Sequence, residues 1–293
     1  MLFRSGHCGR RQGQRHRSGR QVGRGYPPEL GDTPEPLKSA INYALLGGGK
    51  RIRPSLVLAT VDMLGGDVSD ALPVALALEM IHTYSLVHDD LPCMDDDDMR
   101  RGKPSCHIAF GEANALLAGD ALLTHAFSLI SECESAKKHP ERAVKAIKIL
   151  SGYAGYKGMV GGQVLDLEAA ENEVEGETLA KIHMLKTAAL IKAAVLMGCA
   201  AAGVEHEFCI LSEKYAEHFG LAFQIIDDIL DFEGNYETCE LNSYVKVHGI
   251  EKARENAAEH INSARNLLDE FERKRLKTEN FGGLLDFLEK RMK

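Results

Sequence analysis

The chain has 293 residues, of which 44% are hydrophobic, and a formal net charge of −8. This composition is ordinary for a globular protein with a sizeable core, and the acidic balance argues against nucleic acid as a partner. The seven cysteines are scattered and include no C-x-x-C pair, which indicates free thiols in a reducing, cytoplasmic setting. No uninterrupted apolar run reaches the roughly 18 residues that a membrane span needs, so we expect none.

The first 28 residues differ from the rest of the chain. They hold seven arginines, six glycines and no acidic residue. Because such a segment cannot fold by burying apolar surface, we expect 1–33 to be a disordered basic extension. A transit peptide is one interpretation, although the glycines oppose its amphipathic helix. A basic nucleic-acid arm and an extension irrelevant to the fold, from a misassigned start or a frame error, are the others; we prefer the last.

Helix-boundary signals begin near Pro34. Thr33 is placed as an N-cap, Glu35 supplies an early acid, and the helix is expected to end at three glycines, 47–49. The next helix is expected at 55–64, starting after Pro54. Between the two lie Lys50, Arg51 and Arg53. A glycine-rich turn lets the backbone approach a phosphate while cations reach it; a plain turn with solvated charges is the alternative.

An acidic cluster comes after the next helix. Residues 74–87 are apolar round most of a helical circumference, which indicates burial in a large core. The helix leads into six aspartates, and basic residues come directly after them: Asp89, Asp90, Asp95 to Asp98, Arg100, Arg101 and Lys103. Carboxylates so close together repel one another unless cations lie among them. A solvated acidic loop is the alternative for any charge run.

The middle of the chain is expected to be helical throughout. Residues 112–133 and 141–170 are predicted as two long core helices, the second interrupted at Gly161, Gly162 and Gln163, where Gln163 either faces a ligand or is a core amide. A helix over about 176–202 contains Lys186 and Thr187 amid apolar residues. A lysine there either extends to the surface or reaches a buried phosphate. Further helices are predicted at 206–231, 249–274 and 281–292.

A second acidic cluster ends the helix at 220–231. Asp227 and Asp231 are four residues apart and share one helical face, with Asp228 beside them. Two helices that end in paired aspartates could direct both clusters into one cavity. Carboxylates without His or Cys suit a hard cation, and Mg²⁺ prefers one or two of them together with substrate phosphates.

These segments together resemble the trans-isoprenyl diphosphate synthases, most of all the bacterial-type farnesyl diphosphate synthases. The resemblance covers about residues 36–293. It implies an all-α, single-domain bundle of about ten or more helices around a central cavity, in residues 34–293. The matching segments are LLGGGKRIRP (45–54), EMIHTYSLVHDDLPCMDDDDMRRGKPSCH (79–107), FGEANALLAGDALLT (110–124), GMVGGQVLDL (158–167), HMLKTAAL (183–190) and GLAFQIIDDILD (220–231).

The resemblance implies roles for individual residues. The implied catalytic residues are Asp89, Asp90, Asp95, Asp227, Asp228 and Lys186. Two or three Mg²⁺ ions would bind Asp89, Asp95, Asp227 and Asp231. The isopentenyl diphosphate ligands would be Lys50, Arg53, His82 and Arg101. The allylic diphosphate would bind Arg100, Lys186 and Thr187, and Gln224 would also contact substrate.

The implied reaction is the head-to-tail (1′-4) condensation of isopentenyl diphosphate with dimethylallyl or geranyl diphosphate. Ionisation leaves an allylic cation that the double bond of isopentenyl diphosphate attacks, so no side-chain nucleophile is needed. His88 and His107 are therefore interpreted as structural. Tyr84 and Ser85, one turn before Asp89, would set the chain length, with Tyr84 as a floor that favours a farnesyl product.

The chain departs from the family pattern after Asp231. The loop 232–243 is about ten residues shorter than in relatives, and two lysines that neutralise the leaving diphosphate lack clear counterparts. Ser243 and Tyr244 match a T-Y pair, and Lys246 is out of register. KTA also replaces the usual KTG.

Several alternatives therefore stay open. They are a geranylgeranyl or geranyl diphosphate synthase and a weakly active or non-catalytic partner subunit. A terpene cyclase is less favoured because the second aspartate motif is intact. A metal-buffering acidic protein is less favoured because it explains neither Lys50 and Arg53 nor Arg100 and Arg101. Relatives are homodimers, so the resemblance also implies a homodimer.

Overall fold

The computed structural model describes residues 30–292 apart from 171–173, 175, 205 and 235–242. The predicted all-α fold is confirmed: the described chain is helical but for one short hairpin. The first half contains α1 (Glu35–Leu46), α2 (Ile52–Met63), α3 (Leu72–Asp89), β1 (Met99–Arg100), β2 (Lys103–Pro104), α4 (Cys106–Phe110) and α5 (Glu112–Glu132). The second half contains α6 (Glu134–Lys138), α7 (Pro140–Ala154), α8 (Met159–Ala169), α9 (Gly176–His183), a π-helical turn (Met184–Ala188), α10 (Ala189–Ala202), α11 (His206–Gly234), α12 (Tyr244–His248), α13 (Ile250–Arg273) and α14 (Glu279–Met292).

Helices α3 and α10 form the centre of the bundle. Leu76, Leu78 and Ile81 of α3 and Leu190 and Ile191 of α10 are at most 4% exposed. Full burial of such a side chain stabilises the fold by about 1.5–3 kcal/mol. A helix buried on nearly all sides cannot shift without breaking this packing. The last turn of α3, which leads into the first aspartate motif, is thereby held in a fixed position.

The first helix ends before Gly47, as predicted, but the predicted starts of the first two helices were wrong by a few residues. Thr33 does not cap α1; its hydroxyl donates to the Leu30 carbonyl, and Pro34 occupies the N-cap position. Helix α2 begins at Ile52, before Pro54, because a proline in the first turn lacks only an N–H that would have no helical partner. Arg51 precedes it in the left-handed conformation, with φ of 53°.

The predicted helix over 141–170 is broken at a different place. The interruption falls at residues 155–158, between α7 and α8, whereas Gly161, Gly162 and Gln163 lie inside α8. Gly158 makes the turn possible because a Cβ there would lie 1.9 Å from the Tyr153 carbonyl oxygen. Gly162 has a packing role, since a Cβ there would lie 2.3 Å from the Lys186 backbone nitrogen. It lets α8 approach the π-helical turn closely.

The helix predicted over 176–202 is continuous but not uniform. Its five residues 184–188 form a π-helical turn, and such turns often occur at functional sites. Lys186 and Thr187 lie within this turn, whose wider winding changes the direction in which their side chains leave the helix. The shortened loop after Asp231 falls mostly in 235–242, outside the described residues.

Two described segments are long and apolar enough to cross a membrane by length and composition, Glu112–Glu132 and Gly176–Ala202. The core helices of a globular protein meet the same criterion. In the second segment, 61% of its 18-residue apolar stretch is buried inside the bundle. The finding is therefore weak evidence for a membrane span.

Candidate active site

The first aspartate motif forms a compact turn at the end of α3. The backbone N–H of Asp95 donates to the Asp89 carbonyl at 2.9 Å, and that of Asp96 donates to the Leu91 carbonyl at 3.2 Å. The chain can double back here because Asp96 adopts a left-handed conformation, with φ of 52°. The turn brings Asp95 back to Asp89 across five intervening residues.

Adjacent aspartates of this motif have different surroundings. Asp90 is 2% exposed and accepts hydrogen bonds from Arg100, whose Nε lies 2.8 Å from its Oδ1. Arg100 also contacts Asp97 at 3.0 Å. Asp89 is only partly buried, and Asp95 is exposed. Asp90 is therefore held by the hairpin that carries Arg100, while Asp89 and Asp95 are accessible.

The charged form of Asp89 is disfavoured by its surroundings. Burial raises the pKa of its carboxyl to about 6; Lys186 opposes the rise and Asp95 adds to it. A carboxylate that resists ionisation next to another carboxylate favours the approach of a cation. The amine of Lys186 itself lies 2.5 Å from Asp166 Oδ2 on α8.

The second motif shows the same contrast. The side chain of Asp227 is 31% exposed and pairs with Arg291 of α14 at 2.6 Å. The Arg291 guanidinium also lies over the rings of Phe223, at 5.5 Å, and Phe287, at 5.9 Å. Asp231 is exposed. The C-terminal helix thus places a cation on the first aspartate of this motif.

Asp228 is buried and bonded to the protein. Its Oδ1 accepts from Gln224 Nε2 at 2.7 Å, and its Oδ2 accepts from the Tyr244 backbone N–H at 2.6 Å. The carbonyl oxygen of Gln224 accepts in turn from the Thr187 hydroxyl at 2.6 Å. Two of the predicted substrate ligands, Gln224 and Thr187, therefore lie together and are connected to the second motif.

The basic residues after the glycine turn also have different surroundings. Arg51 is buried and pairs with Glu79 of α3, and its Nη2 donates to the Leu45 carbonyl at 2.6 Å. Lys50 is exposed and interacts electrostatically with Asp227 and Asp231. Arg51 is therefore a brace for the turn, and Lys50 faces the second motif.

Arg53 and His82 form a pair beside this turn. Arg53 Nη1 lies 3.3 Å from His82 Nε2. The pKa of His82 is well below its usual range because of burial and then because of Arg53, so the ring is neutral. Among the described residues, the buried Nε of Arg53 has no hydrogen-bond partner. This unused donor fits an anionic ligand.

Arg101 is the last of the basic residues near the glycine turn; we refer to Lys50, Arg53, His82 and Arg101 together as the basic group. Its Nη1 donates to the Gly48 carbonyl. Gly49 has a φ of 111°, and a Cβ there would lie 2.6 Å from the Arg101 guanidinium. Only glycine admits this contact without a shift of the arginine. The glycine turn therefore positions both Lys50 and Arg101.

The residues predicted to set product length lie one turn below Asp89. Tyr84 is 7% exposed and meets the His88 ring edge to face at 5.7 Å. The Ser85 hydroxyl donates to the His82 carbonyl at 3.0 Å. His88 Nε2 lies 3.0 Å from the Leu116 carbonyl, and His107 Nδ1 lies 3.0 Å from the Ser105 hydroxyl. These contacts are consistent with structural roles for both histidines.

The donor set suits a hard divalent cation shared with a ligand. Within the described residues, no three His, Cys, Asp or Glu side chains are gathered closely enough to hold a metal ion. The accessible groups are carboxylates: Asp89 at the end of α3 with Asp95 in the turn after it, and Asp227 with Asp231 on α11. Mg²⁺ commonly takes only one or two carboxylates and completes its shell with water and substrate phosphates. The residues present therefore fit Mg²⁺ bound together with a diphosphate.

Sequence reasoning missed several residues of this region: Glu79, Asp166, His183, Arg291 and Asn256. Asp166 comes three residues after Gln163, so helical spacing could have placed both on one side of α8. Arg291 stands in no motif. Its place depends on how α14 folds back over α11, which local sequence does not encode.

Comparison with known proteins gives a consistent result. The polyprenyl synthetase family model matches residues 34–245. The farnesyl diphosphate synthase of Bacillus subtilis is 44% identical over 247 residues, which cover 81% of this chain and 83% of the relative. Geranylgeranyl pyrophosphate synthase 7, chloroplastic, of Arabidopsis thaliana is 43% identical over 258 residues, or 83% of this chain and 74% of the relative.

A solved structure agrees over the full length. The geranyltransferase from Helicobacter pylori, complexed with magnesium and isoprenyl diphosphate, is 34% identical. It superposes with a TM-score of 0.86 and covers 99% of this chain and 100% of that chain. By its sequence, its fold and its paired aspartate motifs, this chain belongs to the polyprenyl synthetase family.

Proposed function

We propose that the chain is a short-chain trans-prenyltransferase that condenses isopentenyl diphosphate with dimethylallyl or geranyl diphosphate to give farnesyl diphosphate. The observation that carries the proposal is that each of the two accessible carboxylate pairs has a lysine in its vicinity. Lys186 interacts electrostatically with Asp89 and Asp95. Lys50 does the same with Asp227 and Asp231.

The allylic substrate is assigned to the region between the motifs. Asp89, Asp95, Asp227 and Asp231 would hold Mg²⁺, which would supply the positive charge that makes the diphosphate a better leaving group. Lys186 and Arg100 add positive charge, and Thr187 adds a hydroxyl. None of these groups has to act as a nucleophile, because the departing diphosphate can accept the proton lost at the end.

Isopentenyl diphosphate is assigned to the basic group at the glycine turn. Lys50 and Arg101 supply charge, and the unused Nε of Arg53 supplies a directed donor. Because Arg53 donates to His82 Nε2, the neutral imidazole carries its proton on Nδ1, which can donate to a phosphate oxygen. The anchored diphosphate would thereby hold the double bond of isopentenyl diphosphate in place for its attack on the allylic cation.

The product length is assigned to Tyr84. Its buried ring lies one turn below Asp89, where a growing chain would extend. Tyr84→Ala is expected to lengthen the products to C20 or beyond, because it removes this floor. Chromatography of the products measures the change, Tyr156→Ala at an exposed position is the control, and an unchanged C15 profile in Tyr84→Ala would refute the floor.

The proposal extends to the domain, the assembly and the location. We assign the catalytic domain to 34–293 and treat 1–33 as an extension. The protein is proposed to act as a homodimer in the cytoplasm, free of nucleic acid. Support comes from the outer face of α4 and α5, which exposes Ile108, Leu116 and Leu117 by 46–53%. Apolar side chains clustered in this way favour association.

Two alternatives have specific support. The 43% identity to a geranylgeranyl pyrophosphate synthase favours a C20 product. The shortened loop after Asp231 favours a weakly active or non-catalytic partner subunit. Both can be separated from the main proposal in one assay.

The assay incubates purified protein with Mg²⁺, labelled isopentenyl diphosphate and either dimethylallyl or geranyl diphosphate. A C15 product supports the proposal, and a C20 product supports the alternative length. No product from a folded protein that binds both diphosphates would overturn the proposal and favour the partner-subunit alternative. A chelator control should abolish any product.

A further inference from the structure

Tyr244 is the point where four helices meet beside the site. Its backbone N–H donates to Asp228 Oδ2 of α11 at 2.6 Å. Its phenol oxygen accepts from Asn256 Nδ2 of α13, also at 2.6 Å. Its ring stacks on His183 of α9 with centroids 6.2 Å apart and an interplanar angle of 26°. The backbone, hydroxyl and ring of this one residue of α12 are thus engaged by three other helices.

His183 connects this junction to the allylic side of the site. It is the last residue of α9, so the π-helical turn with Lys186 and Thr187 starts directly after it. Its side chain is 9% exposed, and its Nε2 lies 3.7 Å from Asp228 Oδ2. Burial lowers the pKa of His183 to about 4. The neutral ring is therefore held by stacking and packing.

The same junction reaches Thr187 by a second route. Asp228 accepts from Gln224, and Gln224 accepts from Thr187. Tyr244 thus contacts both connections to the π-helical turn: His183 through its ring and Asp228 through its backbone. A shift of Tyr244 would move the π-helical turn relative to α11, which carries Asp227 and Asp231.

We propose that Tyr244 is a positioning residue for the allylic diphosphate: it fixes the turn bearing Lys186 and Thr187 against the helix bearing the second aspartate motif. This inference rests on the proposed function for the identity of the ligand. It also assigns a role to the end of the shortened loop. Ser243, the first described residue after 242, caps α12: its hydroxyl accepts from the Lys246 N–H at 3.3 Å.

The test compares the two substrates in one set of variants. In Tyr244→Ala, the KM for geranyl diphosphate is expected to rise about tenfold or more, and the KM for isopentenyl diphosphate should stay within about twofold. Tyr244→Phe keeps the ring and the backbone N–H and loses only the Asn256 hydrogen bond, so the rise should be about two- to fivefold. The control is Tyr156→Ala, because Tyr156 is 79% exposed.

A merely structural loss would lower the amount of active enzyme and leave both KM values alone. Equal rises in both KM values, or no rise in folded Tyr244→Ala, would overturn the proposal. If Tyr244→Ala does not fold, Tyr244→Phe and Asn256→Leu carry the same comparison. In a Lys186→Ala background, the further effect of Tyr244→Phe should largely disappear; full additivity would contradict a path through the π-helical turn.

A binding measurement separates this proposal from the proposed function. The probe is the unreactive thiolo analogue of geranyl diphosphate, titrated calorimetrically with Mg²⁺ present. Wild-type protein that makes no product but binds the analogue, with affinity reduced about tenfold in Tyr244→Ala, would contradict the catalytic function and support the positioning role. Wild-type protein that binds no analogue, or variants that bind it as tightly as wild type, would overturn the positioning role.

Discussion

The two aspartate motifs come from different helices, yet they divide their carboxylates in the same way. In each adjacent pair one aspartate is taken by the protein: Asp90 by Arg100 and Asp228 by Gln224 and Tyr244. The other, Asp89 or Asp227, remains accessible together with an aspartate farther along, Asp95 or Asp231. A pair of neighbouring aspartates on a helix cannot point to one place, because successive side chains are about 100° apart. One carboxylate per pair therefore anchors the motif and the other serves a ligand.

The motifs differ in what balances their accessible carboxylates. Asp89 has Lys186 and a raised pKa of about 6, whereas Asp227 is paired directly with Arg291. A cation that approaches the first motif meets a carboxyl whose charge Lys186 balances only in part. A cation that approaches the second must compete with a guanidinium held over two aromatic rings. The first motif is therefore expected to bind Mg²⁺ more readily.

The largest expected effect is the difference between replacing Asp89, which faces the ligand, and replacing Asp90, which is bonded to the protein. Asp89→Asn should lower kcat by about 10²–10³-fold, because a group facing the reacting diphosphate is lost. The melting temperature should stay level or rise, because a repelled charge is removed. Asp90→Asn should instead lower the free energy of unfolding by about 2 kcal/mol, because Arg100 loses its buried partner. Steady-state kinetics and denaturant unfolding of both variants check this.

Similar behaviour of the two variants would contradict the division between anchor and ligand. Equal losses of turnover with equal stability would mean that both carboxylates serve the ligand. A stable Asp90→Asn protein would mean that the Arg100 contact contributes little.

The basic residues after the glycine turn also differ in role: Arg51 supports the structure, and Lys50 faces the ligand. Arg51→Met should destabilise the protein by about 3–5 kcal/mol, because Glu79 is left as a buried, unpaired charge. Lys50→Met, the matched change next to it, should leave stability within about 0.5 kcal/mol, as is usual for exposed positions. It should mainly raise the KM for isopentenyl diphosphate. Thermal unfolding and the two KM values distinguish them, and a stable Arg51→Met would contradict the brace.

The smallest expected effect concerns Arg291. Arg291→Gln removes the cation paired with Asp227, whose side chain is 31% exposed while that of Arg291 is 16% exposed. The Mg²⁺ concentration for half-maximal activity should therefore fall by about two- to fivefold or more, since about two- to fivefold corresponds to a surface ion pair. Lys290→Gln, its neighbour on α14, is the control. A higher Mg²⁺ requirement in Arg291→Gln would show that the arginine assists rather than competes.

Much of this arrangement could be predicted from the sequence. Helical periodicity indicates the single helices, and the resemblance carried by the paired aspartates and the glycine turn implies the all-α fold. The places of Lys50, Asp89 and Asp227 follow from helix ends. The predicted position of the helix interruption in 141–170 was wrong, because that position depends on tertiary contacts. Gly161 and Gly162 look like a kink, yet Gly162 lies inside α8 because the π-helical turn packs against it.

The anchoring role of single residues could not be predicted either. Asp90 and Asp89 are the same residue type in adjacent positions, and only the hairpin that carries Arg100 distinguishes them. Tyr244, His183 and Asn256 come from three separate segments, and their contacts exist only once α13 packs on α11. Local sequence specifies helices and their ends, whereas these partners depend on how the helices are stacked.

The division of carboxylates is tested most directly by measuring farnesyl diphosphate formation and thermal unfolding in parallel for wild type, Asp227→Asn and Asp228→Asn. We predict a C15 product from wild type and a folded Asp227→Asn whose turnover is about 10²-fold lower. We predict an Asp228→Asn that melts earlier, by about 1–3 kcal/mol of stability, and still turns over. An active Asp227→Asn beside a stable, inactive Asp228→Asn would contradict the division of the two carboxylates.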